Sequence, residues 1–186
     1  MNKALKERAQ QIKLLAMDVD GVLTDGSLFF SSEGDTLKAF NSQDGHGLKM
    51  LKSTGVSIAI ITGRTSDIVA RRANELGIDI LMQGREDKLT ALNEVATKLD
   101  LRIEQAAYIG DDLPDLSAIQ AAGIGFAVAN AANGIGERAD YVTQARGGKG
   151  AVREACEWLL EAQGKWQSVV AQYCLADASD GKDHAP

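Results

Sequence analysis

The chain has 186 residues, 45% hydrophobic and 25% charged, which suits one globular domain with a real core. Its formal net charge of -6 argues against non-specific nucleic-acid binding, so any anionic ligand must be held by a local cluster of Lys and Arg. No apolar run is long enough to span a bilayer, the opening residues lack the apolar core of a signal peptide, and Cys156 and Cys174 form neither a metal-ligand spacing nor a disulfide framework; the expected compartment is the cytoplasm, with no membrane partner.

In chain order, residues 3–12 read as a short polar helix leading into a first strand. That strand, Leu14-Leu15-Ala16-Met17, stops abruptly at Asp18-Val19-Asp20-Gly21. Residues i and i+2 of a strand point to the same side, so Asp18 and Asp20 converge on one point if strand geometry persists that far. At the carboxyl edge of an α/β sheet, where ligands bind, two such carboxylates repel unless a cation or a shared proton relieves them. A hard cation with oxygen ligands, Mg2+ by preference, is the natural partner. Taken alone, the Asp-x-Asp reads equally well as a strand end followed by a turn.

Ser-Leu-Phe-Phe and Leu-Lys-Ala-Phe flank the turn cluster Ser31-Ser32-Glu33-Gly34-Asp35, which predicts a β-hairpin over 27–40. Residues 41–47 are polar and glycine-rich and lead into a helix over about 47–53, ended by Gly55. Residues 56–61 form a second buried strand with Thr62-Gly63-Arg64 at its carboxyl end. Thr65 or Ser66 caps a helix that runs to Leu76 and stops at Gly77. A short strand over 79–82, a helix over 87–99 and a strand over 106–109 follow, the last ending in Gly110-Asp111-Asp112-Leu113-Pro114-Asp115. Pro114 suits the first turn of a helix over 114–122. Strands at 125–128 and 141–143 and a helix over 150–163 complete the pattern. From Leu175 onward Asp, Ser, Gly, Lys and Pro accumulate, which predicts disorder in isolation. Strands alternating with helices, without repeats or Pro-rich linkers, mean an α/β fold whose parallel sheet is covered on both faces. Residues 1–165 are expected to form a single domain and 166–186 a flexible C-terminal tail.

Strands of a parallel sheet deliver their carboxyl ends to one edge, so Asp18 and Asp20, then Thr62, then Asp111, Asp112 and Asp115 can meet in one site. Lys88, near a helix start, adds a cation. That is the equipment of phosphoryl transfer: a nucleophile, an acid/base, a metal and donors for the non-bridging oxygens. Each signal alone has a bland explanation, since a threonine after a strand is commonly a helix cap.

In this order, Asp18-x-Asp20, Thr62, Lys88 and Gly110-Asp111-Asp112-x-x-Asp115 resemble the motifs of the haloacid dehalogenase superfamily, mostly Mg2+-dependent phosphatases with an aspartate nucleophile. Asp-Val-Asp-Gly-Val-Leu-Thr-Asp-Gly (18–26), Leu-Lys-Ala-Phe-Asn (37–41), Asp-Gly-His-Gly (44–47), Ile-Ile-Thr-Gly-Arg (60–64), Ala-Asp-Tyr-Val-Thr (139–143), Gly-Gly-Lys-Gly-Ala-Val-Arg-Glu-Ala-Cys (147–156) and Ala-Gln-Gly-Lys (162–165) resemble the 3-deoxy-D-manno-octulosonate 8-phosphate phosphatase family. The likeness spans about residues 10–165. It implies a Rossmann-like three-layer αβα sandwich with a β-hairpin flap and no large cap domain, a homotetramer, and a place in making the eight-carbon acidic sugar of lipopolysaccharide.

By the same resemblance Asp18 attacks phosphorus, Asp20 acts as acid and then base, and Thr62 and Lys88 hold the phosphoryl oxygens. Mg2+ falls to the Asp18 and Asp111 carboxylates and the Asp20 carbonyl. Asp112 and Asp115 stand behind them, Asp115 orienting Lys88 or a metal-bound water. The sugar falls to Asp20, Asn41, Ser42, Gln43, Asp44, Gly45, Lys49, Arg64, Arg72 and Lys88; an arginine pairs two-pronged with a carboxylate, although Lys49 and Arg72 lie on helices where cations are commonly a solvated face. The chain departs from the family at Ser42-Gln43, at Lys149 and at Arg85-Glu86-Asp87, and its tail carries Trp166 and Tyr173. Gly134-Ile-Gly136-Glu-Arg-Ala139 and Gly147-Gly-Lys-Gly150 match dinucleotide and P-loop patterns only loosely. His46 reads as a loop histidine with a substrate contact as its alternative, and Cys156 as a core residue. Without a cap, the pocket needs another cover, and the apolar hairpin residues Leu28, Phe29, Phe30 and Phe40 suggest a neighbouring subunit. A capless phosphatase for a nine-carbon sialic-acid-type sugar 9-phosphate shares this framework, and a catalytically silent assembly or regulatory homologue is the alternative from another class.

Overall fold

Strands buried on both faces build the sheet. The structure, a computed structural model, describes residues 3–32, 34–78 and 80–179. The strands β1 (Leu14–Met17), β4 (Ser57–Ile61), β5 (Ile80–Met82), β6 (Ala106–Gly110), β7 (Ile124–Ala127) and β8 (Tyr141–Val142) form one parallel sheet in the order β5-β4-β1-β6-β7-β8. Leu15, Met17, Ile58, Ile60, Ala107 and Ile109 face one core layer. Leu14, Ala16, Ala59, Ile61, Ala106 and Tyr108 face the other, as the two-residue period of a strand requires. Helices α1 (Lys3–Gln10), α2 (Ser42–Ser53), α3 (Asp67–Glu75) and α6 (Ala151–Ala162) cover the first layer, and α4 (Lys88–Lys98) and α5 (Leu116–Ala121) the second. This is the expected three-layer α/β arrangement. β1 has β4 on one side and β6 on the other, so the winding reverses at its carboxyl end, the place where such sheets bind ligands.

The hairpin forms from β2 (Phe29–Ser31) and β3 (Gly34–Leu37), with Phe29 opposite Leu37 and Ser31 opposite Gly34. Glu33 of the expected turn lies outside the described residues, as do Asp79 and His184. Leu28, Phe29, Phe30 and Leu37 are exposed, whereas Phe40 packs partly buried against the core beneath the Arg72 guanidinium, 5.7 Å from its ring centroid. Phe40 is therefore part of the body of the domain, a correction to its reading as an exposed hairpin residue.

Two further elements differ from the sequence reading. α2 begins at Ser42, five residues earlier than expected, because the Asn41 side chain accepts from the N–H groups of Gln43 (2.8 Å) and Asp44 (3.4 Å). The glycines that looked like loop are there for packing. A Cβ on Gly47 would stand 3.1 Å from Arg153 Cα, and one on Gly45 would stand 2.5 Å from Arg72 Nη2. Beyond Gly164 the chain is helical as α7 (Trp166–Ser179). Val169 is buried, Trp166 packs against the core, Lys165 donates to the Thr54 carbonyl (3.0 Å), and Tyr173 meets His46 edge-on at 5.3 Å. Residues 180–186 lie outside the described part. Cys156 is fully buried and burial pushes its thiol up, as a core residue's would be. No helix among the described residues is long and apolar enough to cross a membrane.

Candidate active site

Asp18 is the first residue beyond β1. Its N–H still donates to the Ile109 carbonyl (3.1 Å), so the ladder carries the backbone one residue past the strand before the chain turns. Its parity with Leu14 and Ala16 aims it at the α4–α5 face. The turn is locked by Thr24, whose hydroxyl donates to the Val19 carbonyl (3.3 Å) and accepts from Gly21 (3.4 Å) and Gly26 (3.2 Å) N–H groups. Gly21 has a φ of 99°, and a Cβ there would stand 2.1 Å from Asp111 Oδ2. Only glycine permits both the backbone and the close approach of Asp111.

Lys88 opens α4 and points under β1. Its Nζ lies 2.8 Å from Asp18 Oδ1 and donates to Asp115 Oδ1 and the Ile61 carbonyl, both at 3.0 Å. Asp115 is 1% exposed and spends all its lone pairs locally. Oδ1 accepts from Lys88 and from the Tyr108 hydroxyl (2.8 Å), and Oδ2 from the N–H groups of Asp111 (3.1 Å) and Asp112 (3.4 Å). Asp115 thus fixes Lys88 and the Asp111 strand end together. Asp112 is exposed and caps the short turn through Leu113 N–H (2.8 Å).

Ligand atoms of Asp18, Asp111 and Asp115 lie within 4.8 Å of one another. Burial, then repulsion from Asp115, raises Asp18 from 3.8 to about 6 against the opposing pull of Lys88. Burial, then repulsion from Asp115, Asp18 and Asp112, raises Asp111 to about 7. For Lys88, burial opposes the charge, but Asp18 and Asp115 outweigh it and the ammonium is held above its usual value. Asp111 Oδ1 is buried without a hydrogen-bond partner, and Asp18 Oδ1 faces the Lys88 ammonium. Two carboxyls whose burial disfavours ionisation, one with an oxygen lacking any hydrogen bond, beside a third carboxylate that is saturated, fit a divalent cation held by Asp18 and Asp111 rather than by Asp115.

Asp20 stands apart from this trio. The strand ends at Met17, so Asp18 and Asp20 do not share a strand face as expected; the chain has already entered the Val19–Thr24 turn, where Val22 and Thr24 N–H groups donate to the Val19 carbonyl (3.2 and 3.0 Å). Asp20 Oδ1 instead accepts from Lys38 Nζ, and Arg64 Nε lies 3.8 Å from Oδ2. Thr62 is buried at the end of β4, its N–H donating to the Met82 carbonyl and its carbonyl accepting from Arg85, both at 2.9 Å. It is not a helix cap, since Ser66 holds that position for α3.

The expected sugar residues divide. Arg64 reaches Asp20, with its guanidinium 5.3 Å from the Phe30 ring centroid. Ser42, Gln43 and Lys49 are exposed on α2. Asp44 is not presented to a ligand: it is buried, and its carboxylate caps α6 by accepting from Arg153 (2.8 Å) and Gly150 (3.3 Å) N–H groups. Asn41 uses its side-chain oxygen to cap α2, Gly45 is buried under Arg72, and Arg72 pairs with Glu75 at 3.5 Å. Sequence reasoning missed Lys38, Tyr108 and Thr24. A lone tyrosine in an aliphatic strand was the available signal for Tyr108, since a buried phenol needs a partner. The Gly147-Gly-Lys-Gly150 segment, which matches a P-loop only loosely, packs against the turn after β1, where a Cβ on Gly147 would stand 1.6 Å from the Gly21 carbonyl oxygen. Arg146 and Lys149 line a cleft there with Asp25, Ser27 and Asn130.

Known proteins share the sequence and fold of this chain. The haloacid dehalogenase-like hydrolase family matches residues 80–154. The 3-deoxy-D-manno-octulosonate 8-phosphate phosphatase KdsC of Yersinia pestis is 46% identical over 159 residues, covering 86% of this chain and 85% of that one. The crystal structure of the Moraxella catarrhalis 3-deoxy-D-manno-octulosonate 8-phosphate phosphatase, in complex with magnesium, phosphate and KDO, has a TM-score of 0.90 at 48% identity, covering 93% of this chain and 99% of its own. The cobalt-bound Haemophilus influenzae enzyme has a TM-score of 0.84 at 42% identity over 86% of this chain and 93% of its own. With this identity over most of both chains, the protein belongs to the 3-deoxy-D-manno-octulosonate 8-phosphate phosphatase family of the haloacid dehalogenase-like hydrolases.

Proposed function

We propose that the protein is a Mg2+-dependent phosphatase that hydrolyses 3-deoxy-D-manno-octulosonate 8-phosphate to the free sugar acid and phosphate, supplying the acidic sugar of lipopolysaccharide. The observation that carries this reading is the cluster of Asp18, Lys88, Asp111 and Asp115 at the switch point of the sheet, in which three carboxylates converge beside one ammonium and Asp111 Oδ1 is left without a hydrogen bond.

Asp18 and Asp111, with the Asp20 carbonyl, would hold Mg2+, which when bound offsets negative charge at the phosphoryl group and between the two carboxylates. Asp18 attacks phosphorus in line; the bond from phosphorus to the sugar oxygen breaks and an aspartyl phosphate forms. Asp20 gives a proton to the departing sugar oxygen, then takes one from the water that attacks the aspartyl phosphate, which frees phosphate and restores Asp18. Lys88, fixed by Asp115 and the Ile61 carbonyl, holds non-bridging oxygens together with Thr62. Arg64, beside Asp20 and 42% exposed, meets the sugar acid, and Ser42, Gln43 and Lys49 remain available to it. Residues 1–165 act as one catalytic domain in the cytoplasm. The exposed apolar residues Leu28, Phe29, Phe30 and Leu37 form the contact of a homotetramer that covers neighbouring sites. A monomeric mass at micromolar concentration contradicts that assembly.

The test is phosphate release from a panel of sugar phosphates with and without Mg2+. Mg2+-dependent preference for the eight-carbon acid 8-phosphate supports the reading. Preference for a nine-carbon acid 9-phosphate moves the substrate and keeps the chemistry, and no release from any member refutes it.

A further inference from the structure

Among the described residues two lysines are buried, Lys88 in the cluster above and Lys38 on the hairpin side. Lys38 follows β3, and its neighbours Leu37 and Ala39 are exposed while it is not. That alternation is the strand period continuing one residue past β3, so the outer residues face solvent and Lys38 turns inward. Its side chain is 2% exposed, and a lysine is almost never buried so deeply unless paired. The pair is with Asp20, whose Oδ1 accepts from Lys38 Nζ. The same hairpin reaches the other oxygen indirectly: Phe30 of β2 lies under the Arg64 guanidinium, whose Nε stands 3.8 Å from Asp20 Oδ2. The Asp20 carboxylate is thus gripped on both oxygens by groups that depend on how the hairpin is seated.

We propose that Lys38 is a positioning residue that holds the Asp20 carboxylate in the orientation from which it exchanges a proton with the sugar oxygen, so that seating of the hairpin and proton transfer are coupled. The inference rests on the reading of Asp20 as acid and base. Lys38 touches no reacting atom. It acts by restricting the rotation of Asp20, and its ammonium keeps the carboxylate directed towards the hairpin side of the pocket. The hairpin is therefore part of the catalytic machinery as well as a cover.

Leaving-group dependence tests this. Proton donation matters for a sugar alkoxide and little for p-nitrophenolate, which departs without a proton. Lys38→Met should lower kcat/KM for the sugar phosphate by roughly 100-fold, within the range general acid catalysis supplies, and for p-nitrophenyl phosphate by less than about 5-fold. Lys38→Arg, which keeps the charge, should recover at least about 10-fold of that loss. Should Lys38→Met not fold, Lys38→Gln carries the same comparison. Equal losses on both substrates, or no loss on either, overturn the proposal. Asp20→Asn runs beside it as the reference. If Asp20→Asn shows the leaving-group signature and Lys38→Met does not, the role of Lys38 alone fails. If Asp20→Asn lacks it as well, the assignment of Asp20 fails and the proposal falls with it.

Discussion

Lowering pH should strip Mg2+ from the site with a steepness set by two carboxyls. Burial, then repulsion from Asp115, places Asp18 at about 6 and Asp111 at about 7. The ion needs both ionised. Treating the two as independent, both are ionised in about 90% of molecules at pH 8 and about 5% at pH 6, so Mg2+ affinity should fall about 20-fold across that interval. Below pH 6 the fall should approach about 100-fold per pH unit, the limit for two protons. Stability follows with the opposite sign in the metal-free protein. A carboxyl raised in the fold contributes stability that is fully present below its unfolded value of 3.8 and lost as pH rises through about 6 for Asp18 and about 7 for Asp111. The metal-free Tm should therefore drop by about 10 °C between pH 5 and pH 8, and saturating Mg2+ should restore it at pH 8. Calorimetric titration of Mg2+ at pH 8, 7 and 6, with melting curves alongside, measures both. An affinity unchanged between pH 8 and 6 would refute the assignment of these two carboxyls as the ligands.

Two structural perturbations separate the roles around that site. Asp115→Ala removes the acceptor of four donors at once and leaves Lys88 and Tyr108 short of a partner. It should cost about 3–5 kcal/mol by denaturant unfolding and abolish turnover. Gly147→Ala drives a methyl to within 1.6 Å of the Gly21 carbonyl oxygen, a contact that rigid backbone cannot relieve without displacing the turn behind Asp111. It should cost about 2 kcal/mol or more and weaken Mg2+ binding; an unchanged Mg2+ affinity would show that the turn does not set the site.

What the sequence made legible was whatever lies along one strand and just past its end. Asp18, Thr62 and Asp111 each close a buried apolar run, and parallel strands must deliver such residues to one edge, so their meeting needed no tertiary information. Asp115 and Lys88 were placed correctly near it because each opens a helix after a strand. The relation of Asp20 to Asp18 was not legible, because the turn that parts them depends on local hydrogen bonds to the Thr24 hydroxyl, which no residue pattern announces, and on the approach of Gly21 to Asp111, a contact between distant segments. Lys38 and Asp20 are 18 residues apart and meet only because the hairpin folds back. Asp44 looked like a ligand for the same reason: its capping of α6, 106 and 109 residues away, has no local signature. The glycines at 45 and 47 imitated a loop because close packing against α3 and α6 demands the same residue that a turn does. α7 escaped because its apolar residues, Trp166, Val169, Val170 and Tyr173 among them, show no helical periodicity that would mark one buried face.

If Asp18 is the nucleophile, it carries the phosphoryl group between the two half-reactions. The most direct measurement is acid quenching during a single turnover of the sugar phosphate with Mg2+, followed by peptide mass spectrometry. A phosphoryl group is expected on the peptide bearing Asp18, at the Asp18 carboxylate, and none in Asp18→Asn, which should be folded and inactive. Full turnover by Asp18→Asn, or a phosphoryl group on another residue, would contradict that assignment.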